Sequence, residues 1–132
     1  MRILGVFLTL IISTGAVQAL SIDDVVIRDG YIYKKFSQER FTGKLDEGAQ
    51  QGEVINGEMV GEWVMFDEDG QLFEKGNFEK NKATGTWVIY NDEGEVRETG
   101  EYSEGFRVGL WRGYYEGRLS SKTIPVNIVF IG

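Results

Sequence analysis

Three sets of residues in this chain could do chemistry, and two of them recur at regular spacing. The first is acidic: Asp67-Glu68-Asp69-Gly70 carries three carboxylates, and Asn91-Asp92-Glu93-Gly94 carries two and an amide. A tight loop of hard oxygen donors is what calcium takes. Neither loop is followed by the spaced acid that closes an EF-hand site. Aspartate and asparagine are also the residues that open ordinary turns, so solvated turns are expected and no metal site. The second set is the carboxylates taken in pairs, the machinery of glycoside hydrolysis. Among 21 acidic side chains, no pair is marked as desolvated, and one twisted sheet offers no deep pocket. No catalytic residue, no cofactor and no enzyme activity are expected. The third set is aromatic: Trp63, Trp87 and Trp111, followed at constant distance by Phe66, Tyr90 and Tyr114. Tryptophan and tyrosine anchor interfaces, which makes binding the chemistry these residues suit.

Composition narrows the choice. The chain of 132 residues has no histidine and no cysteine, so the commonest general base and metal ligand is absent. Disulfides and thiolate nucleophiles are absent too. With 14 basic residues against 21 acidic ones, the net charge is −7. That balance argues against nucleic acid and anionic membranes as partners, since both need clustered lysine and arginine.

Residues 1–19 read as a leader. Arg2 precedes the apolar run Ile3 to Ile12, and small and polar residues end in Val17-Gln18-Ala19, the tripartite pattern of a secretory signal peptide. The run is about half the roughly 20 residues of a spanning helix. Cleavage is expected after Ala19, giving a periplasmic or secreted protein that begins at Leu20 and does not insert into the membrane. An uncleaved N-terminal anchor is the alternative.

The body repeats with a period of 24 residues, the interval separating Trp63, Trp87 and Trp111. Gly61, Gly85 and Gly109 stand two residues before them, and Phe66, Tyr90 and Tyr114 three after. Gly70 and Gly94 keep the phase, as do Gly76 and Gly100, Phe78 and Tyr102, and Leu72 and Val96. Gly52-Glu53-Val54 is a partial earlier unit, and the segment from Asp29 to Gly43 parallels Asp69 to Gly85 with two residues fewer. Such periodicity is the signature of a repeat architecture.

Within a unit, Trp63-Val64-Met65-Phe66 and Trp87-Val88-Ile89-Tyr90 are β-branched and aromatic runs that favour strands. Each leads into an acidic turn ending at Gly70 or Gly94, where glycine supplies a positive φ, and then into a second run. Further turns are expected around Lys80-Asn81 and Glu104-Gly105. The fold class is therefore all-β, an elongated antiparallel meander of repeated hairpins over 20–119. An atypical cap or tail follows over 120–132, holding the single proline, Pro125, and the apolar run Ile128 to Ile131. Strand parity sends Trp63, Trp87 and Trp111 to one face as the repeat core, and Phe66, Tyr90 and Tyr114 to the other. The second row is the expected partner-binding face.

The unit Gly-x-Trp-x-x-Tyr/Phe-x-x-x-Gly-x-Leu/Val followed by Gly-x-Phe/Tyr resembles the MORN-repeat variant of bacterial YwqK-type antitoxin proteins. It occurs from Gly61 to Phe78 and from Gly85 to Tyr102, and incompletely at Gly109-Leu110-Trp111 with Tyr114. Asp29 to Lys35 with Phe41-Thr42-Gly43 is similar to the opening of those arrays. The resemblance implies a non-catalytic repeat module that binds an unidentified protein partner, antitoxin- or immunity-like in character. Export argues against neutralising a cytosolic toxin. A cell-wall or carbohydrate-associated binding protein using the same aromatic row is the alternative.

Overall fold

Residue types that tolerate a left-handed backbone decide where this chain reverses. Asp29-Gly30, Asn56-Gly57, Lys80-Asn81, Glu104-Gly105 and Glu116-Gly117 all have φ between +47° and +84°. Positive φ at both central residues matches the right-handed twist of the flanking strands, which makes these two-residue hairpin turns. The computed structural model describes residues 19–126. The expected leader, apart from Ala19, and the apolar run 128–131 lie outside the described residues.

Apart from a 3-10 turn at Ile22–Asp24, the regular structure is all strand. A hairpin of β1 (Val25–Arg28) and β2 (Tyr31–Lys34) forms its own two-stranded sheet. The other eight strands form one antiparallel meander in chain order. They are β3 (Gly43–Leu45), β4 (Gln50–Ile55), β5 (Glu58–Phe66), β6 (Leu72–Glu79), β7 (Lys82–Tyr90), β8 (Val96–Ser103), β9 (Phe106–Tyr115) and β10 (Arg118–Thr123). β10 runs across the boundary expected at 119/120. Among the described residues, no helix is long and apolar enough to cross a membrane.

The two acidic turns share one geometry. The Asp67 carboxylate accepts from the backbone N–H groups of Asp69 and Gln71, both at 2.9 Å. The Asn91 amide oxygen accepts likewise from Glu93 and Glu95, at 3.1 and 2.8 Å. Gly70 and Gly94 both stand at φ +79°, as the turn requires. In the third unit Tyr115 replaces this Asp or Asn, and Glu116-Gly117 closes the hairpin in two residues, with Tyr115 paired to Arg118. The 24-residue phase of Gly70 and Gly94 places the next glycine at 118, and its arrival one residue early as Gly117 is a change of turn type.

A second class of glycine shapes the strands. Gly61, Gly85 and Gly109 have φ of +67°, +66° and +62°. The register slips beside each: Lys75 pairs with Val88 but Asn77 with Thr84, and the same slip recurs in β4–β5 and β8–β9. Such bulges bend the strand and increase its twist. They set Trp63, Trp87 and Trp111 over Gly52, Gly76 and Gly100 of the preceding strand. A Cβ on any of these three glycines would fall inside the indole. The glycines are platforms, chosen for having no side chain.

The tryptophans are 0%, 3% and 2% exposed and form the repeat core. Their indole N–H groups donate to backbone carbonyls at 3.2 Å: Trp63 to Glu53 and Val60, Trp87 to Thr84, Trp111 to Glu101. Phe78 and Tyr102 stand edge-on between them, with centroids 5.3 to 6.1 Å apart, the arrangement ring quadrupoles favour. Trp63 packs in one cluster with Val25, Ile32, Leu45 and Val54, and Trp87 and Trp111 in another with Ile89.

The first partial unit departs from its parallel with Asp69 to Gly85. Leu45 stands two residues after Gly43, where later units have tryptophan, and is 1% exposed. The start of the segment pairs as β2 with β1 in a separate hairpin, tied to the sheet by Ile32 N–H donating to Gly57 O at 2.9 Å. Asn81 adds a bridge, donating to Gly30 O at 2.7 Å and accepting from Met59 N–H at 2.9 Å. The hairpin covers the Trp63 end of the core, as terminal caps of repeat arrays do.

Candidate functional site

Each 24-residue unit ends its long strand with an aromatic residue directly before a turn, and this places Phe66, Tyr90 and Tyr114. They fall an odd number of residues after the tryptophans, so they leave the sheet on the opposite face. Ile89, which shares the face of Trp87, is buried, whereas Phe66, Tyr90 and Tyr114 are half-buried. The neighbouring strand supplies an aliphatic partner in the same register: Phe66 pairs with Leu72 and Tyr90 with Val96, while Tyr114 pairs with Leu119. A one-residue slip after Leu72 and after Val96 makes these pairs possible.

The row floors three open grooves, one per unit. The first, of about 500 Å³, lies between Phe66, Gln51 and the turn from Asp67 to Gly70. The second, about 440 Å³, lies between Tyr90, Leu72 and the turn residues Asp92 to Gly94. The third, about 500 Å³, is lined by Tyr114, Val88, Val96 and Thr99, with Glu95 at its rim. Gly48, Leu72 and Val96, the wall residues of the three, are themselves 24 apart in sequence. The grooves are thus one structural feature repeated three times.

Their rims are acidic. Glu68, Asp92, Glu93 and Glu95 are exposed, and the ion pairs among the described residues, Lys82–Glu104 and Arg107–Glu98, engage none of them. Asp67 is different, because its carboxylate is spent holding its own turn. Cations do approach the row from the sheet: Lys75 Nζ lies 6.0 Å from the Tyr90 ring centroid.

The tryptophan face holds a polar cluster that the residue pattern does not single out. Arg107 lies 3.9 Å over the Trp111 ring, donates to Glu98 at 3.0 Å and to the Tyr102 hydroxyl at 3.3 Å. Glu74 pairs with Met65 and Ile89 across the same face. Burial raises its pKa above the ordinary value of 4.5, against the opposing pull of Arg107 and Arg97. Within this cluster Arg107 covers the Trp111 end of the aromatic ladder. The cluster's signal in the sequence is strand parity: Glu74 and Phe78 stand two residues either side of Gly76, and Glu98 and Tyr102 two either side of Gly100, which puts them on the face the tryptophans cover.

No family model matches the chain, and no curated protein matches it. One solved structure, described as "Crystal structure of GtfA/B complex bound to UDP and GlcNAc", is similar with a TM-score of 0.39 and 16% identity over 75% of this chain. The chain spans 23% of that one, and a likeness this loose bears on neither fold nor function.

Proposed function

We propose that this protein is a non-catalytic binding module that captures a protein partner on the Phe66, Tyr90 and Tyr114 row. One observation carries the reading: the same aromatic-floored, acid-rimmed groove occurs three times in register. A repeated concave feature on a sheet whose other face is closed by its own core is how repeat proteins present extended binding surfaces. The repeat is of the MORN-variant type in this reading, with the antitoxin- or immunity-like character that type suggests. The leader over residues 1–19 directs it to the periplasm or outside the cell.

A second reading rests on the same row, because aromatic side chains on an open sheet also suit sugar rings, and makes the module a wall- or carbohydrate-associated protein. Pull-down with the purified protein separates the two. A stoichiometric protein partner, lost in Tyr90→Ala, supports the first reading, and retention on glycans with no protein partner supports the second. Mass analysis of the exported protein is expected to give Leu20 as the first residue. An intact Met1 in the cytoplasm contradicts the export reading.

A further inference from the structure

Phe66, Tyr90 and Tyr114 lie on β5, β7 and β9, so neighbouring grooves are two strands apart, or about 9.6 Å at the usual strand spacing. A polyproline II helix has three residues per turn and advances about 9.3 Å in that turn. Every third side chain of such a helix therefore falls on one side at the pitch of the grooves. An extended β-strand does not share the property, since residues three apart point to opposite sides. Aromatic-lined grooves are also the surfaces on which this helix docks, because its backbone is already ordered and little entropy is lost on binding.

Charge selects within that class. The carboxylates of Glu68, Asp92, Glu93 and Glu95 stand at the groove rims and make no ion pair among the described residues. Resting on the reading of the row as a protein-binding surface, we infer that its partner is a proline-rich segment in the polyproline II conformation with a basic residue at every third position. Its prolines pack on Phe66, Tyr90 and Tyr114, and its arginines or lysines reach the acidic turns.

Fluorescence anisotropy with synthetic peptides of about thirteen residues carrying four charged residues each, a little over four turns of the helix, tests this on the full chain. The probes are a proline-rich peptide with arginine at every third position, one of equal composition with arginine at every fourth, and one with glutamate at every third. The three-spaced basic peptide is expected to bind about tenfold tighter than the four-spaced one, and the acidic peptide not at all. Binding should fall with added salt and fall about tenfold in the double variant Asp92→Asn with Glu93→Gln, which alters only rim charges. Equal affinity for the two basic spacings overturns the inference, as does binding that survives both the rim variant and Tyr90→Ala. Absence of binding by every peptide overturns it too. If a protein partner is nevertheless captured and lost in Tyr90→Ala, the row remains the binding face and only the partner class is wrong.

Discussion

Trp87 covers Gly76, eleven residues earlier in the chain, so closely that a methyl group on that glycine would occupy the space of the indole. The same pairing joins Trp63 to Gly52 and Trp111 to Gly100. A single sheet normally needs a second layer to bury its apolar face. Here the rings lie on the sheet itself, shielded by Phe78 and Tyr102 edge-on between them, and the opposite face is left for other work.

Two classes of glycine should respond differently to substitution. Gly76→Ala places a Cβ within the ring of a buried tryptophan and is expected to cost about 3 kcal/mol, the upper part of the overpacking range. Gly94→Ala meets open space and only the strain of φ +79°, which costs about 1 kcal/mol. Urea midpoints of the two variants give the comparison, and a larger loss at Gly94 than at Gly76 contradicts it.

The acidic turns should depend on their first residue and not on their charge. Asn91→Ala removes the acceptor for the Glu93 and Glu95 amides and should cost about 1 kcal/mol. Asn91→Asp keeps the acceptor, as Asp67 does in the preceding unit, and should restore most of it. Thermal melts decide the point.

Glu74 should make the fold weaker as the pH rises. Burial favours its protonated form in the folded chain, so its contribution is fully present below the ordinary carboxylate pKa and is lost as the pH rises through the elevated one. Glu74→Gln should therefore melt higher than the parent at pH 7, with the two converging near pH 4. A difference that stays constant across that range rules out titration of Glu74 as its source.

The β1–β2 hairpin should loosen in the variant Asn81→Gly. Glycine at this position would keep the left-handed turn, as Gly105 does one unit later, while losing the bridge from Met59 to Gly30. Hydrogen exchange is expected to quicken over 25–34 and stay unchanged in β7 to β9. Equal acceleration in both regions means that the bridge does not act locally.

The meander was legible because its signals are local: β-branched runs, turn glycines and a 24-residue phase each act within a few residues. Trp87 and Tyr90 could be put on opposite faces by parity alone. What the residues around them do was less legible. Gly76 reads only as a residue in phase until Trp87 is seen above it, because the register slip at Gly85 brings together two positions that the register set by the hairpin turn would separate. The segment from Asp29 to Gly43 reads as a repeat, yet it closes on itself as a cap. Its departure depends on Leu45 in a tryptophan's place and on a contact with Gly57, neither of which its own sequence displays. The pairing of Phe66 with Leu72 and of Tyr90 with Val96 depends on one-residue slips, and nothing in the local pattern announces those.

The central claim is that one face of the sheet folds the protein and the other binds. Tyr90→Ala and Trp87→Ala, measured for denaturant midpoint and partner capture, test it most directly. Trp87→Ala should cost about 3–5 kcal/mol, as large core aromatics do. Tyr90→Ala should cost clearly less while abolishing capture, since a half-exposed ring contributes most when another surface covers it. Capture unchanged in Tyr90→Ala, or a stability loss at Tyr90 equal to that at Trp87, would contradict the division of the sheet into a folding face and a binding face.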